Sequence, residues 1–176
     1  MKYYFLFILI IAFTSCSVQQ KITTVKNKPI DLIGFVDKES FNHKPHSSWF
    51  TQKIETYKPN ETTISLLKKE LTNVTIKAVI GTWCGDSKRE IPNFYKILEL
   101  TNFDFKNLTL IAVNRSKTTP NNLQKGLDII RVPTFIFYKE GKEIGRYVEY
   151  ARESLEKDIL KIITGKAYKH SYNNSK

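Results

Sequence analysis

One cysteine lies where the sequence favours a reactive thiol. Cys84 follows an apolar, β-branched run that begins at Val74 and is typical of a buried strand. After Ser87, the apolar residues from Ile91 onward recur at the spacing of one helix face. We therefore expect Cys84 at a helix N-terminus, where free backbone N–H groups and the helix dipole stabilise a thiolate. Such a thiolate can attack a disulfide.

Ser87 is a second candidate for chemistry, because it lies one helical turn after Cys84. Its hydroxyl is expected to donate a hydrogen bond to the thiolate, which is worth ~1.5–3 kcal/mol when the acceptor is charged. Asp86 acts in the opposite direction, because a nearby carboxylate disfavours the negative sulfur. Lys88 and Arg89 either offset Asp86 or form a solvated helix face.

The stretch around this cysteine resembles the active site of the thioredoxin family. From Trp83 to Ser87 the chain reads Trp-Cys-Gly-Asp-Ser, where the family carries Trp-Cys-x-x-Cys. Pro92 matches the proline that kinks the family's active-site helix. Further along the chain, Val132-Pro133 and the apolar strand after them resemble the family's cis-proline loop. The resemblance implies that this loop lies against the cysteine.

The resemblance covers residues 74–165, about half of the chain. It implies an α/β fold, a thioredoxin-like three-layer sandwich with a mixed central sheet, to which an N-terminal helical extension is added. It also implies that Trp83, Val132 and Pro133 bind substrate. Trp83 would shield the sulfur, and the Val132 backbone would pair with an extended client segment. Each of these residues also has a non-functional interpretation. Trp83 would only pack in the core, Pro133 would be an ordinary proline at the start of a strand, and Cys84 would be an inert small residue.

Three positions depart from the family pattern. Ser87 replaces the second cysteine, and Ala78 stands where the family usually carries a buried acid. Glu149 replaces the glycine of a Val-Gly pair that lines the family's substrate groove. Because serine cannot form a disulfide, a dithiol cycle of net oxidation or reduction is excluded. Monothiol exchange, disulfide isomerisation or client capture through Cys84 remains open.

Hydrophobic periodicity predicts the elements that position these residues. Strands are predicted at residues 31–36, 74–80, 108–113, 134–138 and 143–148, and helices at residues 47–57, 61–71, 85–101 and 152–163. One more helix is predicted to begin at Pro120 and to carry Leu123 and Leu127. A strand–helix–strand unit, a hairpin and a final helix give an α/β sandwich with a mixed sheet.

The N-terminus resembles an export signal. An apolar run at residues 3–13 is too short to span a bilayer as a helix and suits a secretory signal. Residues 13–16 resemble a bacterial lipoprotein box in which Cys16 is lipidated, whereas residues 15–17 also fit an ordinary signal peptidase. We expect an extracytoplasmic, membrane-anchored lipoprotein of the bacterial cell envelope.

The predicted organisation is one domain with extensions, for which 176 residues are sufficient. The predicted parts are a lipoprotein signal peptide (1–15), a tether (16–28), an N-terminal extension (29–72), a thioredoxin-like domain (73–165) and a basic tail (166–176).

The net charge of the chain bears on which classes of partner it is expected to bind. There are 28 basic and 17 acidic residues, which give a net charge of +11. Aromatic residues do not interleave with the basic ones, so nucleic-acid binding is not expected. An anionic membrane surface, or solubility alone, accounts for the charge. His43 and His46 have no further ligands at metal-site spacing, so we expect a solvated loop there, with no metal and no cofactor.

Two functions fit the sequence. The first is thiol–disulfide exchange or isomerisation on disulfide- or thiol-containing client proteins through Cys84 alone, with glutathione or another small thiol as a further partner. The second is a redox-silent binding or chaperone module of thioredoxin-like fold. A copper chaperone is not supported, because no second cysteine or well-spaced histidine accompanies Cys84.

Overall fold

A mixed five-stranded sheet forms the centre of the computed structural model, which describes residues 31–173. Its strands are β1 (Gly34–Val36), β2 (Val74–Ile80), β3 (Leu108–Ala112), β4 (Thr134–Lys139) and β5 (Lys142–Val148). The strand order is β1–β3–β2–β4–β5, in which β2 and β3 are parallel and the other neighbours antiparallel. Each strand overlaps a predicted one. Predictions for residues 1–30 and 174–176, Cys16 included, lie outside the described residues.

Helices cover one face of the sheet. In the described part of the chain, the α-helices are α1 (Ser47–Thr56), α2 (Glu61–Glu70), α3 (Gly85–Leu100) and α4 (Leu155–Ile163). The Asn60 side chain accepts from Thr63 N at 2.9 Å and so caps α2, as predicted. No helix within residues 31–173 is both long and apolar enough to cross a lipid bilayer.

The sheet is centred on β2, which pairs with β3 on one side and with β4 on the other. Its last three residues, Ala78, Val79 and Ile80, are buried, and successive residues point to opposite faces of the sheet. A strand that is apolar on both faces is typical of a central position between two covering layers. The chain leaves this strand at one end of the sheet, and Cys84 follows in the next turn.

The N-terminal extension packs on α3 through an aromatic cluster. Phe41 stacks on Phe50, with 4.9 Å between ring centroids, and both rings meet Tyr95 of α3 edge-on. His46 belongs to the same cluster, because it is only 7% exposed and packs edge-on against Phe41 and Trp49. The prediction of a solvated loop is therefore wrong for His46, since its aromatic neighbours bury it.

A loop at residues 114–131 covers the second face of the sheet, and the helix predicted from Pro120 is wrong. Asn122, Gly126 and Asp128 have φ values of 52°, 78° and 50°. These left-handed conformations interrupt a right-handed helix. The loop still buries its apolar side chains: Leu123, Leu127 and Ile129 pack against Val79, Ile111, Val113 and Val132.

A buried carboxylate explains why α4 begins three residues later than predicted. Asp158 is 0% exposed and accepts from the backbone N–H groups of Arg152 (2.6 Å) and Glu153 (3.3 Å). These bonds hold both residues outside the helix, so Ser154 becomes the N-cap. Burial raises the pKa of Asp158, against the lowering effect of the two hydrogen bonds.

Candidate active site

The turn between β2 and α3 places Cys84 at the N-cap of the helix. Its backbone is extended (φ −87°, ψ 129°), and its N–H donates to Gly81 O at 2.9 Å. Its carbonyl accepts from Lys88 N at 3.1 Å, which begins the helical hydrogen-bond pattern. The Cys84 side chain is partly exposed. The sequence pattern predicts this position at the positive end of the α3 dipole.

The loop before β4 lies against the Cys84 sulfur. The Val132–Pro133 peptide bond is cis, and the Cys84 thiol donates to Val132 O over 3.3 Å. Val132 itself is buried, at 3% exposure. The fold thus joins two motifs that are separated by 48 residues of chain.

Trp83 forms one wall of the site. Its indole N–H donates to Val113 O at 2.9 Å, and the Arg115 guanidinium lies 5.3 Å from the ring centroid. The ring also covers Gly81, where an added Cβ would lie 2.6 Å from indole Cε2. These contacts fix the indole next to Cys84, so Trp83 both packs against the fold and borders the sulfur.

The structure gives Ser87 a different partner from the predicted one. Ser87 is 1% exposed, and its Oγ accepts from Gly81 N at 3.1 Å. Among residues 31–173, no hydrogen bond joins this hydroxyl to Cys84. A buried backbone N–H needs an acceptor, and Ser87 supplies one at the point where β2 ends. Its observed contact is therefore with the turn that carries the cysteine.

Asp86 and Arg89 set the charge next to the sulfur. Asp86 Oδ2 lies 4.0 Å from Cys84 Sγ. Arg89 Nη1 lies 2.7 Å from Asp86 Oδ1, and its Nε lies 2.7 Å from Glu90 Oε1. Of the two alternatives for Arg89, the structure thus favours an offset of Asp86 over a purely solvated position. One guanidinium binds two carboxylates in the first two turns of α3.

We expect Asp86→Asn to make Cys84 more reactive. Removing a negative charge 4.0 Å from the sulfur favours the thiolate. Unit charges at this distance interact by roughly 1 kcal/mol in a water-like medium, so the rate of alkylation by iodoacetamide at neutral pH should rise about fivefold. Asp104→Asn is the matched control, because Asp104 is exposed and follows the opposite end of α3. An unchanged or slower reaction of the Asp86 variant would contradict this account.

Glu90 is a buried carboxylate on the active-site helix. It is 6% exposed and forms an ion pair with Arg89 at 2.7 Å. Burial raises the pKa of Glu90 above its usual value of 4.5, while Arg89 opposes the shift. Sequence analysis missed this residue, because a single glutamate on a helix gives no sign of whether it faces water.

Glu90 should make the stability of the protein depend on pH. Since its pKa is higher in the folded state, the folded protein binds more protons above pH 4.5, and the free energy of unfolding falls as pH rises through the folded-state pKa. In Glu90→Gln this component is lost. Urea unfolding between about pH 4 and pH 7 should therefore show wild type losing stability relative to the variant. Glu55→Gln, at an exposed position of α1, should show no such trend. A constant difference between wild type and Glu90→Gln would refute the assignment.

The C-terminal segment packs beside the cis-proline loop. Glu149 N donates to Pro133 O at 2.7 Å, and Glu149 has φ 67°, a conformation that favours the glycine found in the family pattern. Tyr172 OH donates to the Glu149 carboxylate, and the Arg131 guanidinium lies 5.1 Å from the Tyr172 ring centroid. Tyr172 thus contacts the rim of the site, a contact that the sequence analysis did not find.

The strand–turn–helix that carries Cys84 and the cis-proline loop opposite it define a thioredoxin-like fold. Solved structures agree with this description. A protein of unknown function from Pseudomonas aeruginosa has a TM-score of 0.55 at 18% identity, over 74% of this chain and 93% of its own. An HIV epitope-scaffold has a TM-score of 0.56 at 19% identity, over 76% of this chain and 94% of its own. At these identities the similarity supports the fold alone.

Sequence comparison identifies the family. The profile described as thioredoxin matches residues 36–161, and the chain belongs to the thioredoxin family. A thioredoxin-like protein of Acanthamoeba polyphaga mimivirus is 32% identical over 94 residues, which are 53% of this chain and 66% of that protein. A thioredoxin of Arabidopsis thaliana is 30% identical over 83 residues, 47% of this chain and 55% of the plant protein. The chain thus spans less than two thirds of either relative.

Proposed function

We propose that this protein carries out monothiol thiol–disulfide exchange or isomerisation on client proteins through Cys84. The observation that carries the proposal is the position of one partly exposed sulfur. Cys84 Sγ lies at the N-terminus of α3 and 3.3 Å from Val132 O of the cis-proline loop. A thiolate at a helix N-terminus is the reactive form of cysteine.

The proposed reaction uses one thiolate. Cys84 Sγ attacks one sulfur of a client disulfide, so that a bond forms between Cys84 and the client while the client S–S bond breaks. The second client sulfur leaves as a thiolate and takes a proton from solvent. When a client thiolate later attacks the mixed disulfide, Cys84 is regenerated and a new client disulfide forms. Isomerisation therefore changes no oxidation state overall.

The walls of the site support binding of an extended client segment. Val132 O points at the sulfur, so a client backbone next to its cysteine can pair with this loop in the manner of an added strand. Trp83 limits access from the side of Val113 and Arg115. We propose Trp83, Val132 and Pro133 as substrate-binding residues. We propose Ser87 as a positioning residue for the turn, because its buried hydroxyl binds Gly81 N.

We also propose that the protein works outside the cytoplasm, held at a membrane by lipid on Cys16. The support is the sequence of residues 1–17 alone. An extracytoplasmic compartment is oxidising and rich in disulfide-bonded proteins, which suits a thiol-exchange function. The proposed parts are those predicted above, with the thioredoxin-like domain at residues 73–165. Metabolic labelling with a radioactive fatty acid tests the anchor, and label that persists in Cys16→Ser would refute it.

A refolding assay tests the proposed reaction. The full chain carrying Cys16→Ser has Cys84 as its sole thiol. With scrambled ribonuclease and glutathione, it should accelerate the return of ribonuclease activity. The same chain with Cys84→Ser added should give the background rate. Equal rates for the two chains would exclude catalysis by Cys84 and favour the redox-silent binding module.

A further inference from the structure

The C-terminal segment reaches the cis-proline loop. Residues 165–173 follow α4. Tyr168 packs against the main hydrophobic core, and its hydroxyl donates to Asp158 Oδ2 at 3.4 Å. Further along, Ser171 Oγ donates to Tyr150 O at 2.9 Å, just after the end of β5. The segment is therefore attached to the body of the domain before it meets the site.

Tyr172 contacts one residue on each side of the cis peptide bond. Its ring lies 5.1 Å from the Arg131 guanidinium, and its hydroxyl donates to the Glu149 carboxylate. Arg131 directly precedes Val132, whose carbonyl faces the reactive sulfur. Glu149 N donates to Pro133 O at 2.7 Å. One side chain of the C-terminal segment thus bridges the two residues that flank the substrate-binding loop.

This bridge gives a role to Glu149, which departs from the family pattern. Its φ of 67° is left-handed, a conformation that favours the glycine of the pattern. Glycine has no carboxylate, however, and here the carboxylate accepts from the Tyr172 hydroxyl. A glycine would therefore suit the backbone better but would remove the acceptor through which the C-terminal segment holds this side of the loop.

The loop depends on such contacts for its position. Residues 113–133 join β3 to β4 without a helix or strand, and Arg131 is exposed whereas Val132 is buried. Arg131 O accepts from Thr134 Oγ1 at 2.7 Å, which ties the backbone of the loop to β4. Tyr172 adds a contact from outside the sheet. A loop that is ordered before binding captures an extended partner at a lower entropic cost.

We infer that Tyr172 is a positioning residue of the active site, which holds the cis-proline loop against Cys84 in the arrangement that a client segment binds. The inference rests on the proposed function and identifies what orders its substrate-binding loop. Tyr172 acts through Arg131 and Glu149 and takes no part in making or breaking bonds. Residues 170–173 thus belong to the site and are more than a basic tail.

Rates of mixed-disulfide formation test this inference. The full chain with Cys16→Ser, in which Cys84 is the sole thiol, is mixed with a disulfide-linked peptide or with 2-hydroxyethyl disulfide. The small disulfide has no peptide backbone to pair with the loop. Tyr172→Ala should lower the rate constant for the peptide about tenfold, because the loop must then be ordered at binding, and leave that for the small disulfide unchanged. Tyr172→Phe keeps the ring beside Arg131 and should recover part of the loss.

The matched control is Tyr168→Phe. It removes a phenol hydroxyl from the same segment, but the bond that is lost goes to Asp158 and not to the rim of the site. The ratio of its two rate constants should equal that of wild type. If Tyr172→Ala keeps the wild-type ratio, or slows both disulfides equally, Tyr172 does not position the loop and the inference is overturned.

Glu149→Gly separates positioning from a general effect on stability. Since glycine adopts the left-handed conformation readily, the free energy of unfolding should stay close to that of wild type. The peptide reaction should nevertheless slow, because the Tyr172 hydroxyl loses its acceptor. Combined with Tyr172→Phe, the change should cause no further loss, because both substitutions remove the same contact. Additive losses would contradict the bridge. A wild-type chain that reacts with neither disulfide would instead count against the proposed function.

Discussion

Replacing Ser87 with cysteine is expected to shorten the lifetime of a mixed disulfide on Cys84 by at least about a thousandfold. The new thiol lies in the first turn of the helix that Cys84 caps, so its attack on Cys84 is intramolecular. Effective molarities of such groups reach ~10⁵ M, far above a millimolar external thiol. Stopped-flow release of a fluorescent client peptide measures the change. The variant should then contain a disulfide between Cys84 and the thiol introduced at position 87, detectable by mass spectrometry.

A matched control separates this chemistry from a change in packing. Ser87→Ala removes the hydroxyl that accepts from Gly81 N at 3.1 Å but adds no thiol. It should destabilise the turn by about 1–3 kcal/mol, because a buried N–H loses its acceptor, and should leave the mixed disulfide long-lived. If Ser87→Cys releases the peptide no faster than Ser87→Ala, position 87 is not the resolving position in this site.

Phe135→Ala is expected to lower the free energy of unfolding by about 3–5 kcal/mol. Phe135 is 0% exposed and lies between Phe94 of α3, at 4.1 Å between centroids, and Tyr147 of β5, at 5.3 Å. The loss combines buried apolar area with a cavity that the rigid sheet cannot fill. Phe35→Ala is the control, because Phe35 is 68% exposed and its loss should cost far less. Urea unfolding of both variants measures the difference, and similar values for the two would contradict the packing described.

The position of Cys84 could be predicted from the sequence, because the hydrophobic pattern of the neighbouring residues determines it. The apolar run before Cys84 and the helical spacing after it place the thiol at the N-cap of α3. The strand after Pro133 is likewise read from local composition. Because the family pattern relates these two segments, their approach in space was predicted although 48 residues separate Cys84 from Val132.

Contacts between segments that are distant along the chain could not be predicted from the sequence. Nothing local indicates that Ser87 would accept from a backbone N–H at the end of β2. Leucine spacing suggested a helix after Pro120, but the left-handed residue Asn122 ends any such helix almost at once. Tyr172 belongs to a segment that reads as a basic tail, and only the folded chain shows its contact with Glu149.

A cavity of about 500 Å³ between the N-terminal extension and the active-site turn shows the same limit. Its charged residues come from three parts of the chain, namely Asp31 at the start of the described region, Lys88 on α3 and Arg115 in the loop after β3. The local sequence around each of them gives no sign of this arrangement. The extension brings them together, because packing of its aromatic residues on α3 closes the cavity on one side.

One measurement tests the central claim most directly. The full chain with Cys16→Ser is mixed under native conditions with an excess of a peptide disulfide, the excess is removed, and the intact mass and the modified residue are determined. We predict a persistent adduct of one peptide half on Cys84, absent from the chain that also carries Cys84→Ser. If Cys84 forms no adduct in the folded protein but reacts once the protein is unfolded in urea, the sulfur is not an accessible nucleophile and the proposed exchange reaction is excluded.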